Sequence, residues 1–560
     1  MTTTADVIAD ALIAHGTTHA FGLMGDGNMH LIEPMAARGI KIVEVRHESN
    51  AVAMAEGYAW SSGRTGVATV THGPGLTHTA TSLVVAARNR SPIVVLAGET
   101  PSGYSGAQEF DQQPFVTACE AEYRLIGPDD DGGLVVATAL RDAARYRRPI
   151  VVGIPADLLH TDPGAGEGLR SIIEERTATD ADSEAAAAGL LEVLASSVRP
   201  VLLAGRGVIE SGTRDLVVRV AEQFGAALAT TLPAKGLFDG HPQNLGIAGG
   251  LSDPEAERIF VAADVVIGIG STIGSSTTRG GRLFPDAQVF RLDVRADESL
   301  RPTDAHLVLG EARHTLVELV DQTGTPGDPR QPWFRPISPW PANWSSDLDQ
   351  YVPAIPKGTV DPRRAVIELD AFLPEDALIV IANGHSSGFA SALLRGGGSR
   401  TTLLAQGFGS IGQGMTTAIG VALGAPDRRV VVFEGDAGYM MHAQELDTAV
   451  RSGVRLTAVV FNDEALGTEY HRLAEDEGAA DLAVVPARGI AALAEAVGAH
   501  AARVTEESAV ASVLETALAE RFAVVELVTA RTVESRHLRW RRLPAPEPVA
   551  QPELSTGGRA

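Results

Sequence analysis

The sequence has one cysteine, a deficit of positive charge and no long apolar run. Cys119 is the only cysteine in 560 residues, so no disulfide can form within the chain and a cysteine-built metal centre is not expected. Lysine and arginine total 46 against 70 acidic residues, and this net charge of −24 argues against a nucleic-acid partner. No apolar stretch reaches about 18 residues without a charge or turn former, so no membrane span is predicted. The first residues lack the basic start of a secretory signal and indicate an ordinary helix, so a cytoplasmic protein is expected.

The length and the spacing of apolar runs predict several α/β domains. A single hydrophobic core stops growing at about 250 to 300 residues, well short of this chain. Short β-branched runs recur, each followed by a glycine-rich turn and a stretch of helical period, which is typical of parallel sheets covered by helices. The clearest runs are 67–71, 93–98, 150–155, 265–270, 379–384, 430–436 and 457–463. We therefore predict an α/β protein of three doubly wound domains with parallel sheets.

Linker composition sets the expected domain boundaries. Segments 162–188 and 323–344 are rich in polar residues, glycine and proline. Three tryptophans of the second segment are expected to pin it to a neighbouring surface rather than to bind a ligand. They are Trp333, Trp340 and Trp344. The predicted domains are 1–165, 185–325 and 345–540, with 541–560 as an extended tail.

A strand, helix and strand unit in the third domain predicts a metal site. Asp436 follows one apolar strand, a helix runs on through Ser452, and Asp463 follows the next strand 27 residues after Asp436. The carboxyl ends of two such strands meet at one edge of a parallel sheet, where ligands bind. Carboxylates near a helix N-terminus suit Mg²⁺, whereas an isolated aspartate before glycine is often only a helix cap. The paired carboxylates favour the metal site.

This arrangement resembles the GDG…N signature of thiamine diphosphate-dependent enzymes, in the branch of pyruvate decarboxylase, benzoylformate decarboxylase and acetolactate synthase. The resemblance implies that Asp436, Asp463 and the carbonyl of Ala465 hold Mg²⁺ against the diphosphate. It also places Ala437, Gly438 and Leu466 at the cofactor. Ala437 stands where glycine is usual, and Asp463 stands where asparagine is commoner, which adds a negative charge and should tighten metal binding.

Three further segments resemble the same family. Glu48, after an apolar strand and before an alanine-rich helix, matches the glutamate that activates the cofactor through its pyrimidine ring, although a charge at a helix start is the commoner reason for such a residue. In the segment Gly407–Gly420, Ile411 matches the residue that bends the cofactor, and the Gly409 carbonyl would accept from the 4′-amino group. The turn Gly384, His385 and Ser386 matches a loop on the diphosphate side.

The resemblance implies a pyrimidine-binding, a middle and a diphosphate-binding domain, with thiamine diphosphate and Mg²⁺ as cofactors. It also implies at least a homodimer, with homotetramers common. A nicotinamide site is not favoured, because Gly268 and Gly270 are followed by a glycine one residue too late for the dinucleotide fingerprint. The resemblance leaves FAD or ADP in the middle domain possible but not supported. Arg279 and the cluster 275–278 are expected to form a solvated loop rather than an anion site.

Candidate acids near the reacting carbon distinguish the possible reactions. Asp26 and Glu469 resemble positions of the decarboxylases, where such groups deliver a proton. The histidine pair of those enzymes is missing from 106–115, so His72 is the first substitute, and His78 and His471 are weaker ones. Gln113 matches a glutamine of synthases and lyases and keeps a second reaction open.

The predicted function is the non-oxidative decarboxylation of a small-molecule 2-oxo acid to an aldehyde and CO₂, through the enamine intermediate that the family implies. One alternative is an acetolactate synthase-like carboligase or lyase that joins or cleaves carbonyl compounds. A third, less favoured class is a non-catalytic nucleotide-binding protein.

Overall fold

The computed structural model describes residues 2–101, 103, 106–164, 177–295, 305–322, 329–339, 345–397, 401–475, 478–539 and 542. Trp340, Trp344 and, except for Arg542, the predicted tail 541–560 lie outside the described residues. The chain forms two compact units. The first comprises Met1–Ile173, Ile355–Ser387 and Leu403–Val533, and the second comprises Glu174–Ala354, Gly388–Thr402 and Glu534–Ala560.

The strands form three six-stranded parallel sheets. The first sheet contains β1 His19–Gly22, β2 Lys41–Glu44, β3 Gly66–Val70, β4 Ile93–Glu99, β5 Glu122–Leu125 and β6 Ile150–Pro155. The second contains β7 Pro200–Ala204, β8 Ala227–Thr230, β9 Asn244–Ile247, β10 Val265–Ile269, β11 Gln288–Asp293 and β12 His306–Leu309. The third contains β13 Leu378–Ala382, β14 Thr401–Ala405, β15 Val430–Gly435, β16 Leu456–Asn462, β17 His500–Val504 and β18 Phe522–Val528.

The helices alternate with these strands. Around the first sheet they are α1 Thr4–Ala14, α2 Met29–Ala37, α3 Glu48–Ser62, α4 Pro74–Thr77, α5 Ala80–Arg88, α6 Gln112–Ala118 and α7 Gly132–Tyr146. With the second sheet come α8 Asp180–Ser196, α9 Arg206–Ser211, α10 Arg214–Phe224, α11 Pro254–Val261, α12 Ser275–Thr278 and α13 Ala312–Gln322. The remaining helices are α14 Ser345–Gln350, α15 Pro362–Phe372, α16 His385–Leu393, α17 Gly414–Gly424, α18 Asp436–Met441, α19 Glu445–Ser452, α20 Gly467–Leu473, α21 Ile490–Ala496, α22 Val510–Ala519 and α23 Arg536–Arg539.

The predicted α/β class with parallel sheets is confirmed, and every apolar run singled out above is a strand within two residues of its predicted ends. These runs are buried on both faces, as continuous apolar strands between helices must be. The predicted first helix is α1, which begins with a capping box between Thr3 and Asp6. One expectation is wrong. The helix predicted to run from Asp436 through Ser452 is two helices, α18 and α19, because the chain turns at His442.

In the first unit, α3 and α17 cross with their backbones in contact. A methyl group on Gly57 of α3 would overlap the carbonyl oxygen of Thr417, and one on Gly420 of α17 would overlap the carbonyl oxygen of Met54. Glycine costs a helix about 0.5 to 1 kcal/mol relative to alanine. The two glycines therefore serve the close crossing, which joins the helix after Glu48 to the helix after the Ile411 turn.

We expect Gly57→Ala to destabilise the folded chain by roughly 1 to 3 kcal/mol, because the added methyl must push the two helix backbones apart. Gly189→Ala is the matched control. Gly189 also lies inside a helix, but no atom lies within 4 Å of the position its methyl would take. Alanine there should stabilise the chain slightly. Thermal unfolding of the full chain compares the two, and an unchanged Tm for Gly57→Ala would contradict the close crossing.

The second sheet has the strand order β12-β11-β10-β7-β8-β9, which is that of dinucleotide-binding folds. At its switch point, between β7 and β10, a methyl on Gly205 would overlap the carbonyl of Gly270, and one on Gly268 would overlap the side chain of Ile273. Close packing of these turns therefore accounts for the glycine pattern without a bound nucleotide. Trp333 donates from Nε1 to the carbonyl of Pro200 at 3.1 Å, so this tryptophan packs on the second unit as expected.

The solvated loop expected at Arg279 is wrong. Arg279 is 2% exposed, and its Nη1 lies 2.7 Å from Oε2 of Glu257. Glu257 also accepts from Nη2 of Arg536 at 3.2 Å. The anion that Arg279 binds is thus a buried carboxylate of the chain itself, which anchors the segment that contains α23 within the second unit.

None of the described helices combines the length and the apolar character that a bilayer span requires.

Candidate active site

Each sheet of the first unit has one switch point. The order of the first sheet is β2-β1-β3-β4-β6-β5, and the third sheet, β14-β13-β15-β16-β18-β17, repeats it strand for strand. The connections that follow β1 and β3, or β13 and β15, leave toward opposite sides and open a crevice at the carboxyl ends of these strands. The turn at 383–386 follows β13 and Asp436 follows β15, so both predicted segments border the switch point of the third sheet.

Asp436 is the first residue of α18, and only 2% of its surface is exposed. Its Oδ1 accepts from the amide of Ala437 at 2.8 Å, whereas the buried Oδ2 has no hydrogen-bond partner among the described residues. Burial, and next the charge of Asp463, raise the pKa of this carboxyl to about 7. A buried carboxylate oxygen without a donor is costly, and a bound divalent cation would remove that cost.

Asp463 follows β16 and supplies the second carboxylate. Its Oδ1 accepts from the amide of Ala465 at 3.1 Å, and its Oδ2 lies 3.6 Å from Nδ1 of His385. A methyl on Gly467 would come within 2.7 Å of that Oδ2, so glycine there leaves room beside the carboxylate. The structure therefore brings together two carboxylates and the Ala465 loop, and this set of hard oxygen donors fits Mg²⁺.

The other cofactor candidates of the third domain border the same crevice. Gly384 and Gly409 have φ angles of 121° and 80°, which favour glycine, and Cγ2 of Ile411 would lie 3.7 Å from a methyl on Gly384. The Gly409 carbonyl accepts from Nδ2 of Asn383. A carbonyl has a second lone pair, so its contact with a 4′-amino group stays a prediction.

The remaining predicted contacts divide into buried and exposed groups. His385 and Ser386 begin α16 with 6% and 7% of their surface exposed. Gly438 lies buried in α18, whereas Leu466 is 36% exposed. The amide of Leu466 donates to the carbonyl of Ala483 at 2.9 Å, so that amide is engaged within the chain.

Glu434 is a buried carboxyl that sequence reasoning missed. Its two oxygens accept from the amides of Gly414 at 3.3 Å and Met415 at 2.9 Å, which begin α17. Burial raises the pKa of Glu434 to about 7. Glu434 thus ties α17 to the turn that carries Asp436. The sequence did contain a signal for this role, an acidic residue at the end of an otherwise apolar strand. Acidic residues are almost never fully buried unless they have partners, so such a residue indicates a buried contact.

At the switch point of the first sheet, the Asp26 loop meets His72. The amide of Gly27 donates to Oγ1 of Thr71 at 3.0 Å, and a methyl on Gly27 would come within 2.5 Å of Nδ1 of His72. That Nδ1 is buried and has no hydrogen-bond partner among the described residues. Asp26 is exposed beside it. The structure therefore places the loop that carries Asp26 against His72, through Gly27.

Glu48 is the first residue of α3 and is 8% exposed. Its Oε2 lies 2.9 Å from Nδ1 of His78, and the ring of His78 stacks on His47 with the centroids 4.7 Å apart. His78 was a weak candidate for relaying a proton to substrate. The structure places it instead against the predicted activating glutamate.

Gln113 is exposed, whereas its neighbour Gln112 is 2% exposed. Gln112 donates to the carbonyl of Gly98 at 2.9 Å and accepts from the amide of Gly73, one residue after His72, at 3.4 Å. At this pair the structure therefore favours Gln112 as the glutamine that contacts the switch-point turn. Because the two glutamines are adjacent, the sequence pattern could not distinguish Gln112 from Gln113.

Glu469 lies exposed on α20, above the edge of the third sheet. Arg531 holds this helix to the sheet, since its Nε donates to the Asp463 carbonyl at 2.7 Å and its guanidinium lies 5.6 Å from the Tyr470 ring centroid. The ring of His471 lies 4.7 Å from that of His385. The predicted acid on α20 and the predicted metal edge are thus parts of one connected surface.

His442 makes the stability of the folded chain depend on pH. It is 9% exposed, and burial, followed by repulsion from His47, lowers its pKa to about 4. The unfolded chain, where the value is near 6.5, binds more protons than the folded chain between these limits. Stability should therefore decrease as the pH falls through this window, by on the order of 3 kcal/mol at about 1.4 kcal/mol per unit.

Tm measured from pH 7.5 to pH 4.5 should accordingly fall less in His442→Gln than in the wild-type chain. His15→Gln, at an exposed position, should follow the wild-type curve. Parallel curves for the wild type and His442→Gln would contradict the buried neutral imidazole.

Family models match three parts of the chain. Residues 2–118 match the thiamine pyrophosphate enzyme N-terminal TPP binding domain, 187–319 match the central domain, and 382–527 match the C-terminal TPP binding domain. The first and third of these matches contain Glu48 and the Asp436 edge, respectively.

Known proteins show the same relationship. The chain is 27% identical over 475 residues to the acetolactate synthase large subunit of Buchnera aphidicola subsp. Acyrthosiphon pisum, covering 83% of this chain and 82% of that one. It is 27% identical over 508 residues to the sulfoacetaldehyde acetyltransferase of Alcaligenes xylosoxydans xylosoxydans, with the same two coverages. Its fold is similar to that of the thiamine diphosphate-dependent 4-hydroxybenzoylformate decarboxylase of Rhodococcus jostii RHA1, with a TM-score of 0.78 and 19% identity over 94% of this chain and 99% of that one.

Proposed function

The chain belongs to the family of thiamine pyrophosphate-dependent enzymes, and on this premise we propose that it decarboxylates a 2-oxo acid to an aldehyde and CO₂. The cofactor, when bound, supplies an electron sink for the bond that releases CO₂. The observation that carries the proposal is the meeting of the Asp26 loop with His72, whose buried Nδ1 has no partner among the described residues. Releasing an aldehyde requires a proton at the carbon that has lost CO₂, and these side chains can supply it.

We propose that Mg²⁺ is held by Asp436, Asp463 and the carbonyl of Ala465, with His385 and Ser386 donating to the diphosphate. The buried Oδ2 of Asp436 and the gap at Gly467 support this assignment. Glu48 would contact the pyrimidine ring. In the proposed assembly, at least a homodimer, the Glu48 of one subunit serves the cofactor held at the Asp436 edge of another.

His72 and Asp26 would handle the proton on the side of the first sheet, and Glu469 would do so from α20. His72 suits this role because an imidazole can both accept and donate a proton. Gly27 leaves room for the ring, since a methyl there would come within 2.5 Å of Nδ1. Glu469 is exposed in the single chain, so a carboxyl there can exchange its proton with solvent between turnovers.

The second candidate is transfer of the cleaved fragment to another acceptor. Two relatives that each align with 83% of this chain are an acetolactate synthase and an acetyltransferase. In that reaction the same three side chains would orient an acceptor carbonyl instead of protonating the product carbon. When the donor is a 2-oxo acid, the two candidates would share every step up to the loss of CO₂.

The test is to incubate the protein, loaded with thiamine diphosphate and Mg²⁺, with a panel of 2-oxo acids and to identify the products by mass spectrometry. The proposal expects CO₂ and an aldehyde in equal amounts. A second aldehyde is then added as acceptor. Hydroxyketone as the main product in its presence would favour the second candidate, and no CO₂ from any 2-oxo acid would contradict the first.

The variants His72→Asn and Glu469→Gln sharpen this comparison. Each keeps a polar side chain of similar size but removes the titratable proton, so aldehyde release should slow by tenfold or more. His15→Asn is the control, since His15 lies exposed at the C-terminal cap of α1. Unchanged aldehyde release in both variants would remove the reason for preferring decarboxylation.

A further inference from the structure

The predicted activating carboxyl, Glu48, has a titratable partner. Nδ1 of His78 lies 2.9 Å from Oε2 of Glu48, and the two side chains differ in exposure, 51% for His78 and 11% for Glu48. On the other side, a methyl on Gly75 would lie 3.7 Å from Oε1, so the chain leaves that oxygen open. One carboxyl oxygen is therefore engaged by an imidazole, and the other faces a glycine.

Among the imidazoles around this pair, His78 is the one that is half exposed and contacts Glu48. His47, stacked on His78, accepts from the amide of Ser49 through Nδ1 at 3.2 Å, so protonating that nitrogen would break the bond. His442, whose ring centroid lies 6.3 Å from that of His47, is buried and stays neutral above about pH 4. His78 is half exposed and makes no competing hydrogen bond in the described structure other than that with Glu48.

The acidic groups of α19, the helix packed against this region, are already hydrogen-bonded or ion-paired. From α19, Glu445 accepts from the amide of Arg46 at 2.7 Å and from Nδ2 of Asn50 at 2.8 Å. Asp447 of the same helix pairs with the guanidinium of Arg46. These groups add a background charge, whereas the partner in direct contact with Glu48 is an imidazole.

The charge of His78 decides which form of Glu48 is favoured. An imidazolium 2.9 Å away stabilises the carboxylate, because opposite charges at this distance favour the ionised form. A neutral imidazole does not, and it leaves the carboxyl able to keep a proton that it would share with a ring nitrogen of the bound cofactor. Activation through Glu48 needs that shared proton, so protonation of His78 opposes it.

We propose that His78 is a positioning residue that sets the protonation of Glu48, so that activation of the bound cofactor slows as the pH falls and His78 becomes charged. The inference rests on the proposed function, since it concerns the step that Glu48 performs there. In this proposal, His78 lies outside the metal-binding edge of the third sheet but controls the activation of the cofactor.

The experiment measures exchange of the C2 proton of thiamine diphosphate for deuterium in the loaded full-length protein, by acid quench and NMR, from pH 5.5 to pH 8.5. This readout reports activation without any substrate. The wild-type rate should fall roughly fivefold or more toward pH 5.5, as imidazole gains its charge over this range. In His78→Asn, whose side chain can still hydrogen-bond to Glu48 but cannot charge, the profile should be nearly flat. His15→Asn should follow the wild type.

Two results would overturn the inference about His78. One of them would leave the proposed function intact, and the other would overturn it as well. Identical pH profiles for His78→Asn and the wild type, both exchanging well above the free cofactor, would remove the role of His78 and leave the proposed function standing. Exchange in the wild type no faster than in free thiamine diphosphate would overturn both. Retention of cofactor after desalting confirms that each variant is folded and loaded.

Discussion

Replacing Glu48 with glutamine should lower the turnover of every substrate that the loaded protein accepts by about a hundredfold or more. A positioned acid or base typically contributes about 10² to 10⁴ to a rate. Glutamine keeps the shape of the side chain and can donate to Nδ1 of His78, but it cannot exchange a proton with a ring nitrogen. The loss should therefore appear in kcat, with KM little changed. Steady-state kinetics on the best substrate of the panel, together with C2 exchange, measures it.

Glu44→Gln is the matched control for this experiment. It makes the same chemical change four residues away, at the exposed end of β2, and should leave turnover unchanged. Because Glu48 is 8% exposed and contacts His78, the variant must also be shown to bind the cofactor as well as the wild type does. Full activity in a loaded Glu48→Gln protein would exclude activation through this residue and, with it, the proposed function.

The second large effect is expected at Asp436. Asp436→Asn should abolish the retention of Mg²⁺ and, with it, of thiamine diphosphate. An amide removes the charge that a divalent cation requires and cannot offer two anionic oxygens. Without ligands, however, the variant should be at least as stable as the wild-type chain, because a buried carboxyl with one oxygen lacking a partner is replaced by a neutral group. Metal analysis after desalting and Tm with and without ligands give the two readouts.

Asp427→Asn is the control for Asp436, since Asp427 is exposed in the turn before the same strand, β15. Its Tm should rise on addition of Mg²⁺ and thiamine diphosphate as the wild type's does, because a ligand that binds only the folded chain stabilises it. The Tm of Asp436→Asn should not respond. A normal ligand-induced rise in Asp436→Asn would show that the cation is held elsewhere.

The third sheet shows how far local sequence can place a site. Asp436 and Asp463 follow apolar runs separated by a helical segment, and that pattern alone implies adjacent parallel strands with both carboxylates at one edge. The pattern did not show the break at His442, because α18 and α19 form one continuous stretch of helix-compatible residues. His442, at the break, lies against Gly412, where a methyl would come within 2.9 Å of the imidazole.

Residues that act across elements were harder to predict. Ser49, Ser82 and Gln413 form a buried hydrogen-bonded series that joins α3 to the turn before α17, with distances of 2.7 and 3.0 Å. No feature of its own segment marks any of these residues as a contact between elements. Only the fold brings them together and so connects α3 to the turn before α17. His78 is a similar case, since 30 residues of chain separate it from Glu48.

The sequence by itself determined the fold class, the order of the strands along the chain and the resemblance to thiamine diphosphate-dependent enzymes. These depend on short-range features, such as apolar periodicity, glycines at turns and acidic residues at strand ends. Each such feature lies within a segment of about thirty residues. Only the tertiary structure decided that the first and third sheets belong to one unit. It alone also showed that His78 contacts Glu48 and that Arg279 forms an ion pair with Glu257. The physical reason is that burial and pairing depend on contacts between segments far apart in the chain, and a sequence pattern carries no record of which segments meet.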